Sequence, residues 1–248
     1  MSTDPGYRRF APDEGVRAWA EAAKRIAALI AREPERRARE LRHNGTWLVG
    51  LDLLPNQTDG TVDGVPLPGN WWAEVPDLPL HPAQVSVVYP GYPQQDADES
   101  DANHRYRINR KAAHVDGLLP IGPGRRRYAH EHHAYILMIP LTSVRAAPTV
   151  IWEGSHTIMG DAMRAVIGSR RPEDVDITEA YQAARRVVFE TCPMVPLYAE
   201  PGEVILIHRH ALHGTEVWGD EPPDAAPDGR MIAFFRPETS AADWLRAD

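Results

Sequence analysis

From Gln84 to Phe235 the chain breaks repeatedly into short runs of β-branched and aromatic residues, most of them closed by proline, glycine or acidic residues. That rhythm narrows the possible folds more than any other feature. Gln84 to Tyr89, Ala134 to Leu141, Pro148 to Trp152, Val195 to Ala199, Val204 to Ile207, Leu212 to Trp218 and Met231 to Phe235 each read as a strand. His104 to Arg110 alternates Tyr106 and Ile108 with polar residues, as a half-buried strand does. Two segments, Thr157 to Gly168 and Asp174 to Thr191, switch to helical spacing inside this series. Strands on both sides of inserted helices, with turn signals throughout, predict a mainly β fold with flanking helices, a double-sheet barrel or jelly roll.

Ahead of this region, Val16, Trp19, Ala20, Ala23, Ile26, Ala27 and Ile30 recur at helical spacing behind Pro12-Asp13-Glu14, which predicts an amphipathic helix. Pro34 interrupts it, and a charged second helix runs to about His43 before Asn44-Gly45. Its Arg36, Arg37, Arg39 and Arg42 alternate with glutamates and read as a solvated face rather than a phosphate site. Thr46 to Leu54 reads as a strand. Pro55 to Pro82 is an irregular stretch in which Trp71-Trp72 seals the edge of the core, and Gln95 to Asp101 is an acidic loop. Leu118 to Arg127 reads as a Pro/Gly loop whose Arg125, Arg126 and Arg127 face solvent in salt bridges. At 248 residues the chain fits a single unit, 1–248, with an N-terminal helical extension at 1–45, a jelly-roll core at 84–236 and a helical insertion at about 157–191.

Charge and cysteine content exclude several classes of function. With 27 basic against 35 acidic residues the net charge is −8, which argues against a general nucleic-acid surface. The single Cys192 allows neither an intrachain disulfide nor a cysteine-held zinc or iron–sulfur centre. No apolar run is long enough to span a bilayer, and the N-terminus has no secretory pattern. The expectation is a soluble, cytoplasmic protein.

The residues with the clearest chemistry are His114 and Asp116, two positions apart. Side chains at i and i+2 of an extended segment leave the same face, so an imidazole nitrogen and a carboxylate oxygen can share a divalent ion. A histidine from a distant strand would complete a two-histidine, one-carboxylate triad with open metal positions. The segment Ile207 to Gly214 offers His208, His210 and His213. The gap from Asp116 to His213 is 97 positions, so only the fold could close it. His130, His132 and His133 form another cluster, read as pocket rim or surface because they precede a buried strand beside three arginines.

Taken together, His114-Val115-Asp116, the block Ala147 to His156, Gly202-Glu203-Val204-Ile205-Leu206-Ile207-His208, His213-Gly214 and Arg230 resemble the phytanoyl-CoA dioxygenase-like branch of the iron(II), 2-oxoglutarate-dependent oxygenases. The resemblance runs from about Gln84 to the C-terminus. It implies a double-stranded β-helix, a jelly roll of the cupin-like kind, in which His114, Asp116 and His213 hold Fe(II) and Arg230 pairs with the distal carboxylate of 2-oxoglutarate. His210 is the runner-up to His213. The spacing from His213 to Arg230, 17 positions, is longer than the family's and is assigned to an insertion at Asp220 to Gly229. If that assignment fails, Arg236, on the same strand face, takes the place of Arg230. The implied activity is hydroxylation of a small molecule with O2, or a related desaturation or ring closure, releasing succinate and CO2; Asp116 stands where halogenating relatives lack a carboxylate. Two rivals remain open: a cupin-like metalloenzyme that does not use 2-oxoglutarate, and a non-catalytic jelly-roll binding module.

Overall fold

The computed structural model describes residues 4–219, 226 and 228–247. In chain order the elements are β1 (Tyr7–Phe10), α1 (Glu14–Ile30), α2 (Pro34–Glu40), β2 (Leu41–Arg42), β3 (Trp47–Leu48), β4 (Gln84–Val88), α3 (Asp101–Arg110), β5 (Leu118–Ile121), β6 (Arg126–Ala129), β7 (Tyr135–Pro140), β8 (Thr149–Trp152), α4 (Ser155–Ile167), α5 (Thr178–Thr191), β9 (Met194–Leu197), β10 (Val204–His208), β11 (His213–Thr215), β12 (Arg230–Phe235) and α6 (Ala241–Leu245). A seven-stranded sheet runs β1-β10-β7-β12-β4-β3-β2, and a three-stranded sheet runs β11-β8-β9. Every pairing is antiparallel. The fold is mainly β with flanking helices, and the two sheets face each other as the halves of a jelly roll.

Strand periodicity explains how the large sheet is covered on both sides. In β7 and β12, Leu137, Ile139, Met231, Ala233 and Phe235 point outward onto α1, where Val16, Trp19, Ala20, Ala23 and Ala27 form the matching stripe. The alternate residues Ile136, Met138 and Ile232 point inward and pack with Ile205 and Ile207 against Ile151 and Leu197 of the small sheet. The small sheet's other face, Val150 and Trp152, lies beneath α4, α5 and α6 through Met159, Met163, Tyr181, Val188 and Trp244. Helix α1 begins where Asp13 accepts a hydrogen bond from the Val16 amide at 3.0 Å, with Glu14 in the first turn. Trp19 is fully buried and satisfies its indole N–H on the Gly60 carbonyl at 2.7 Å. Trp71, also fully buried, stacks on Trp72 at 4.0 Å between ring centroids.

Several segments differ from the sequence reading. His104 to Arg110 is not a strand: it lies in helix α3, whose N-cap Ser100 accepts from the Asn103 amide and whose first turn carries Asp101. Leu118 to Arg127 is not a loop but most of the β5–β6 hairpin, with Leu118 opposite Ala129 and Ile121 opposite Arg126. Its arginines include Arg126, which pairs with Asp176 and with Glu179 at 2.5 Å, tying the hairpin to the start of α5. Of Thr46 to Leu54 only Trp47 and Leu48 form strand, because the chain turns away through Gly50 and Asp52, both at positive φ. The 174–191 helix splits into a short 3₁₀ turn at Pro172–Asp174 and α5 from Thr178, whose amide is received by Asp176. Most of the insertion expected at Asp220 to Gly229 lies outside the described residues. Among the described residues no helix is long and apolar enough to cross a membrane.

Candidate metal centre

The chain leaves α3 through two consecutive left-handed residues, Lys111 (φ 54°) and Ala112 (φ 53°). This conformation is costly for residues with a Cβ, and it turns the backbone sharply toward β11. His114 then pairs with His213: each amide donates to the other's carbonyl, at 2.9 and 3.0 Å. The approach requires Gly214, since a Cβ there would stand 2.2 Å from the Lys111 carbonyl oxygen. The two histidines are 99 positions apart in sequence and adjacent in space, their ring centroids 4.6 Å apart.

Both rings are fixed in the same way. Nδ1 of His114 lies 2.9 Å from the Ala112 carbonyl oxygen, and Nδ1 of His213 lies 3.0 Å from that of Ala211. A carbonyl oxygen can only accept, so each Nδ1 carries a proton, and Nε2 is left as the ring atom able to meet a metal. Both Nε2 atoms face Asp116: His114 Nε2 is 3.2 Å from Oδ1 and His213 Nε2 is 3.6 Å from Oδ2. Ligand atoms of all three residues lie within 4.8 Å of one another. Fixing the far nitrogen on a backbone oxygen is how metal-binding histidines are ordinarily oriented.

Electrostatics set the three groups apart. Burial pushes the His213 imidazole down to about 4, so it is neutral and ready to donate at neutral pH. Burial also acts to lower His114, but the hydrogen bond and charge of Asp116 outweigh it and raise the ring. Burial would raise the Asp116 carboxyl; Arg236, His213 and His114 overcome it and hold it well below the usual carboxylate range. The site opens on the His114 side, whose side chain is 47% exposed against 9% for His213.

His208 and His210 do not join this cluster. His208 packs against His156, and the fully buried His210 stands edge-on to Trp244, at 4.7 Å between centroids. Of the three clustered histidines of the 130–133 segment, His133 is buried at the rim of the site rather than on the surface, and its Nδ1 donates to the Arg236 carbonyl at 3.2 Å.

The two candidate arginines separate clearly. Arg230 and Arg236 share a face of β12 and its extension, roughly 20 Å apart along the backbone at strand rise. Arg236 donates from Nε to Asp116 Oδ2 at 2.7 Å and from Nη2 to Gln84 Oε1. Arg230 has no hydrogen bond or ion pair to the triad. It is 2% exposed, its Nε and Nη1 lack hydrogen-bond partners, and it lines an interior cavity with Met138, Thr142, Leu197 and Ile232. Burial lowers its pKa to about 10, still leaving the guanidinium charged at neutral pH. Gln84 and His81, which also stand around the site, are not singled out in the sequence, where the one available signal is a glutamine opening the strand Gln-Val-Ser-Val-Val; His133 is read there as pocket rim or surface.

No protein-family model and no curated relative matches the chain. Among solved structures, the non-heme alpha ketoglutarate dependent carbocyclase SnoK from nogalamycin biosynthesis matches with a TM-score of 0.52 at 15% identity, covering 96% of this chain and 84% of SnoK. The non-heme alpha ketoglutarate dependent epimerase SnoN from the same biosynthesis matches at 0.46, with 14% identity over 97% of this chain and 84% of SnoN. EctD from S. alaskensis with bound Fe matches at 0.43, with 13% identity over 95% of this chain and 75% of EctD. The likeness to SnoK extends over nearly the whole chain and establishes a shared fold.

Proposed function

We propose that this protein is a non-haem iron(II)- and 2-oxoglutarate-dependent oxygenase acting on a small molecule. The observation that carries the reading is the convergence of two Nε2 atoms on one carboxylate, with both rings locked from behind by backbone carbonyls. Two neutral imidazoles and one carboxylate on one side of an ion are the donor set of the iron(II) oxygenase triad. In this reading His114, Asp116 and His213 hold the metal. Bound iron and 2-oxoglutarate would supply oxidation of a substrate C–H bond by O2, with succinate and CO2 released.

Arg230 suits the co-substrate's distal carboxylate. A guanidinium buried with two donor nitrogens unused is an expensive arrangement, and a carboxylate accepting both hydrogen bonds would remove the cost. Arg236, already engaged by Asp116, is the weaker candidate for that role. Met138, Leu197 and Ile232 form the apolar part of the cavity beside Arg230, and Thr142 and Arg145 its polar part. Hydroxylation is the simplest outcome; ring closure, the reaction for which the carbocyclase SnoK is named, is the second.

The test is succinate release from 2-oxoglutarate that requires added Fe(II). Arg230→Met should leave Fe(II) binding intact while weakening 2-oxoglutarate binding by about 100-fold, the loss of a charge-assisted pair of about 3 kcal/mol. A cupin-like enzyme without 2-oxoglutarate would show Fe(II) binding unaffected by the co-substrate. A binding module would show neither metal uptake nor turnover.

A further inference from the structure

We propose that Arg236 is a positioning residue that restricts Asp116 to one-oxygen metal coordination and so keeps a third coordination vertex open. The inference rests on the metal assignment above. Arg236 Nε donates to Asp116 Oδ2 at 2.7 Å, leaving Oδ1 as the oxygen nearest His114 Nε2, at 3.2 Å. The guanidinium has little freedom to leave. Its Nη2 is held by Gln84 Oε1, and Gln84 is itself anchored by donating to the Val49 carbonyl at 2.8 Å. The Arg236 backbone is pinned as well: its amide donates to His81 Nε2 at 2.9 Å, and its carbonyl lies 3.2 Å from His133 Nδ1. Both side chains of the ion pair are largely buried, 17% and 12% exposed, so solvent screens the contact weakly.

The consequence follows from counting positions. A six-coordinate ion held by two imidazoles and one carboxylate oxygen has three positions left, enough for a chelating 2-oxo acid and O2. A carboxylate gripping through both oxygens would take one of them. Asp116 presents both oxygens to the histidines, 3.2 and 3.6 Å away, so nothing in the triad alone prevents the two-oxygen grip. The Arg236 hydrogen bond occupies the second oxygen, and Gln84 sets the guanidinium's angle.

The experiment compares the wild-type protein with Arg236→Met, Arg236→Lys and Gln84→Met under anaerobic conditions. Fe(II) affinity is measured by equilibrium dialysis, and 2-oxoglutarate affinity by the charge-transfer absorption of its Fe(II) chelate. Arg236→Met should bind Fe(II) as tightly as wild type or more tightly, because the ion gains an oxygen and loses a neighbouring cation. Its 2-oxoglutarate affinity should fall by about 10–100-fold, the usual scale for an outer partner of a metal ligand. Gln84→Met should move the same two constants in the same directions by less, and Arg236→Lys should recover part of the loss. An unchanged 2-oxoglutarate affinity in Arg236→Met overturns the proposal, as does a parallel loss of both affinities, which marks a purely structural role. If Arg236→Met does not fold, Gln84→Met decides by the same criteria. Wild-type protein that takes up no Fe(II) refutes the metal assignment itself, and this inference with it.

Discussion

A carboxylate withdrawn from water is stable only if a cation stands next to it, and Arg236 does this for Asp116. Asp116→Ala should therefore do two things. It should abolish metal retention, and it should strand the guanidinium, lowering stability toward the bottom of the ~3–5 kcal/mol range for a broken buried pair because Arg236 keeps some exposure. The double variant Asp116→Ala/Arg236→Met should recover most of the stability and none of the metal binding. Urea unfolding and metal titration separate these outcomes. The i, i+2 spacing of His114 and Asp116 was visible in the sequence because it is local. The choice of His213 over His208 and His210 was not settled by the residues themselves, since all three lie within six positions. The family resemblance favours His213, and in the structure the long-range pairing of His114 with His213 distinguishes it from the other two. Arg236 could be placed on the right face of β12 by parity, but its engagement with Asp116 depends on a contact across 120 positions.

At the level of elements, α3 shows how a local pattern misleads. Tyr106 and Ile108 alternate with polar residues over too few positions to separate strand from helix, while the cap at Ser100 lies inside an acidic run and is easily passed over. The helix matters to the site because its left-handed exit at Lys111 and Ala112 delivers His114, and the Tyr106 hydroxyl donates to the Ala113 carbonyl at 2.7 Å to hold that exit. The hairpin of β5 and β6 was hidden by its Pro120, Gly122, Pro123 and Gly124, which read as loop yet sit in or beside its turn. Long apolar strands such as β7, buried on both faces, were legible because their burial leaves no room for polar residues. The close crossing of β11 with the His114 segment yields the next prediction. Gly214→Ala would push a methyl group into the Lys111 carbonyl and shift the His114 ring. It should cost about 1–3 kcal/mol of stability, and metal affinity should fall by about 10–100-fold. Equal loss of affinity and stability in a variant far from this crossing would show that the effect is not local.

Across the whole molecule, acid sensitivity should have a source outside the candidate metal centre. His43 is buried between Trp47 and Tyr92, at ring-centroid distances of 5.6 and 5.9 Å. Burial pulls it down to about 4, with Arg107 adding to the effect and Glu99 and Asp96 opposing it. The unfolded chain takes up that proton near pH 6.5 and the folded protein only near 4, so stability should fall as pH drops through this window and level off below it. The slope should approach about 1.4 kcal/mol per pH unit from this residue. Urea titrations at pH 7 and pH 5 would measure it, and His43→Gln should remove this part of the decline.

The outermost strand of the large sheet carries one more consequence. Tyr7 lies opposite Ile207 and Phe10 opposite Val204, so β1, once synthesised, must wait for the roughly 200 residues that separate it from β10 before its partner exists. Its sequence, Tyr-Arg-Arg-Phe, is suited to the delay: two adjacent guanidiniums discourage a nascent chain from pairing with its neighbours on the polysome.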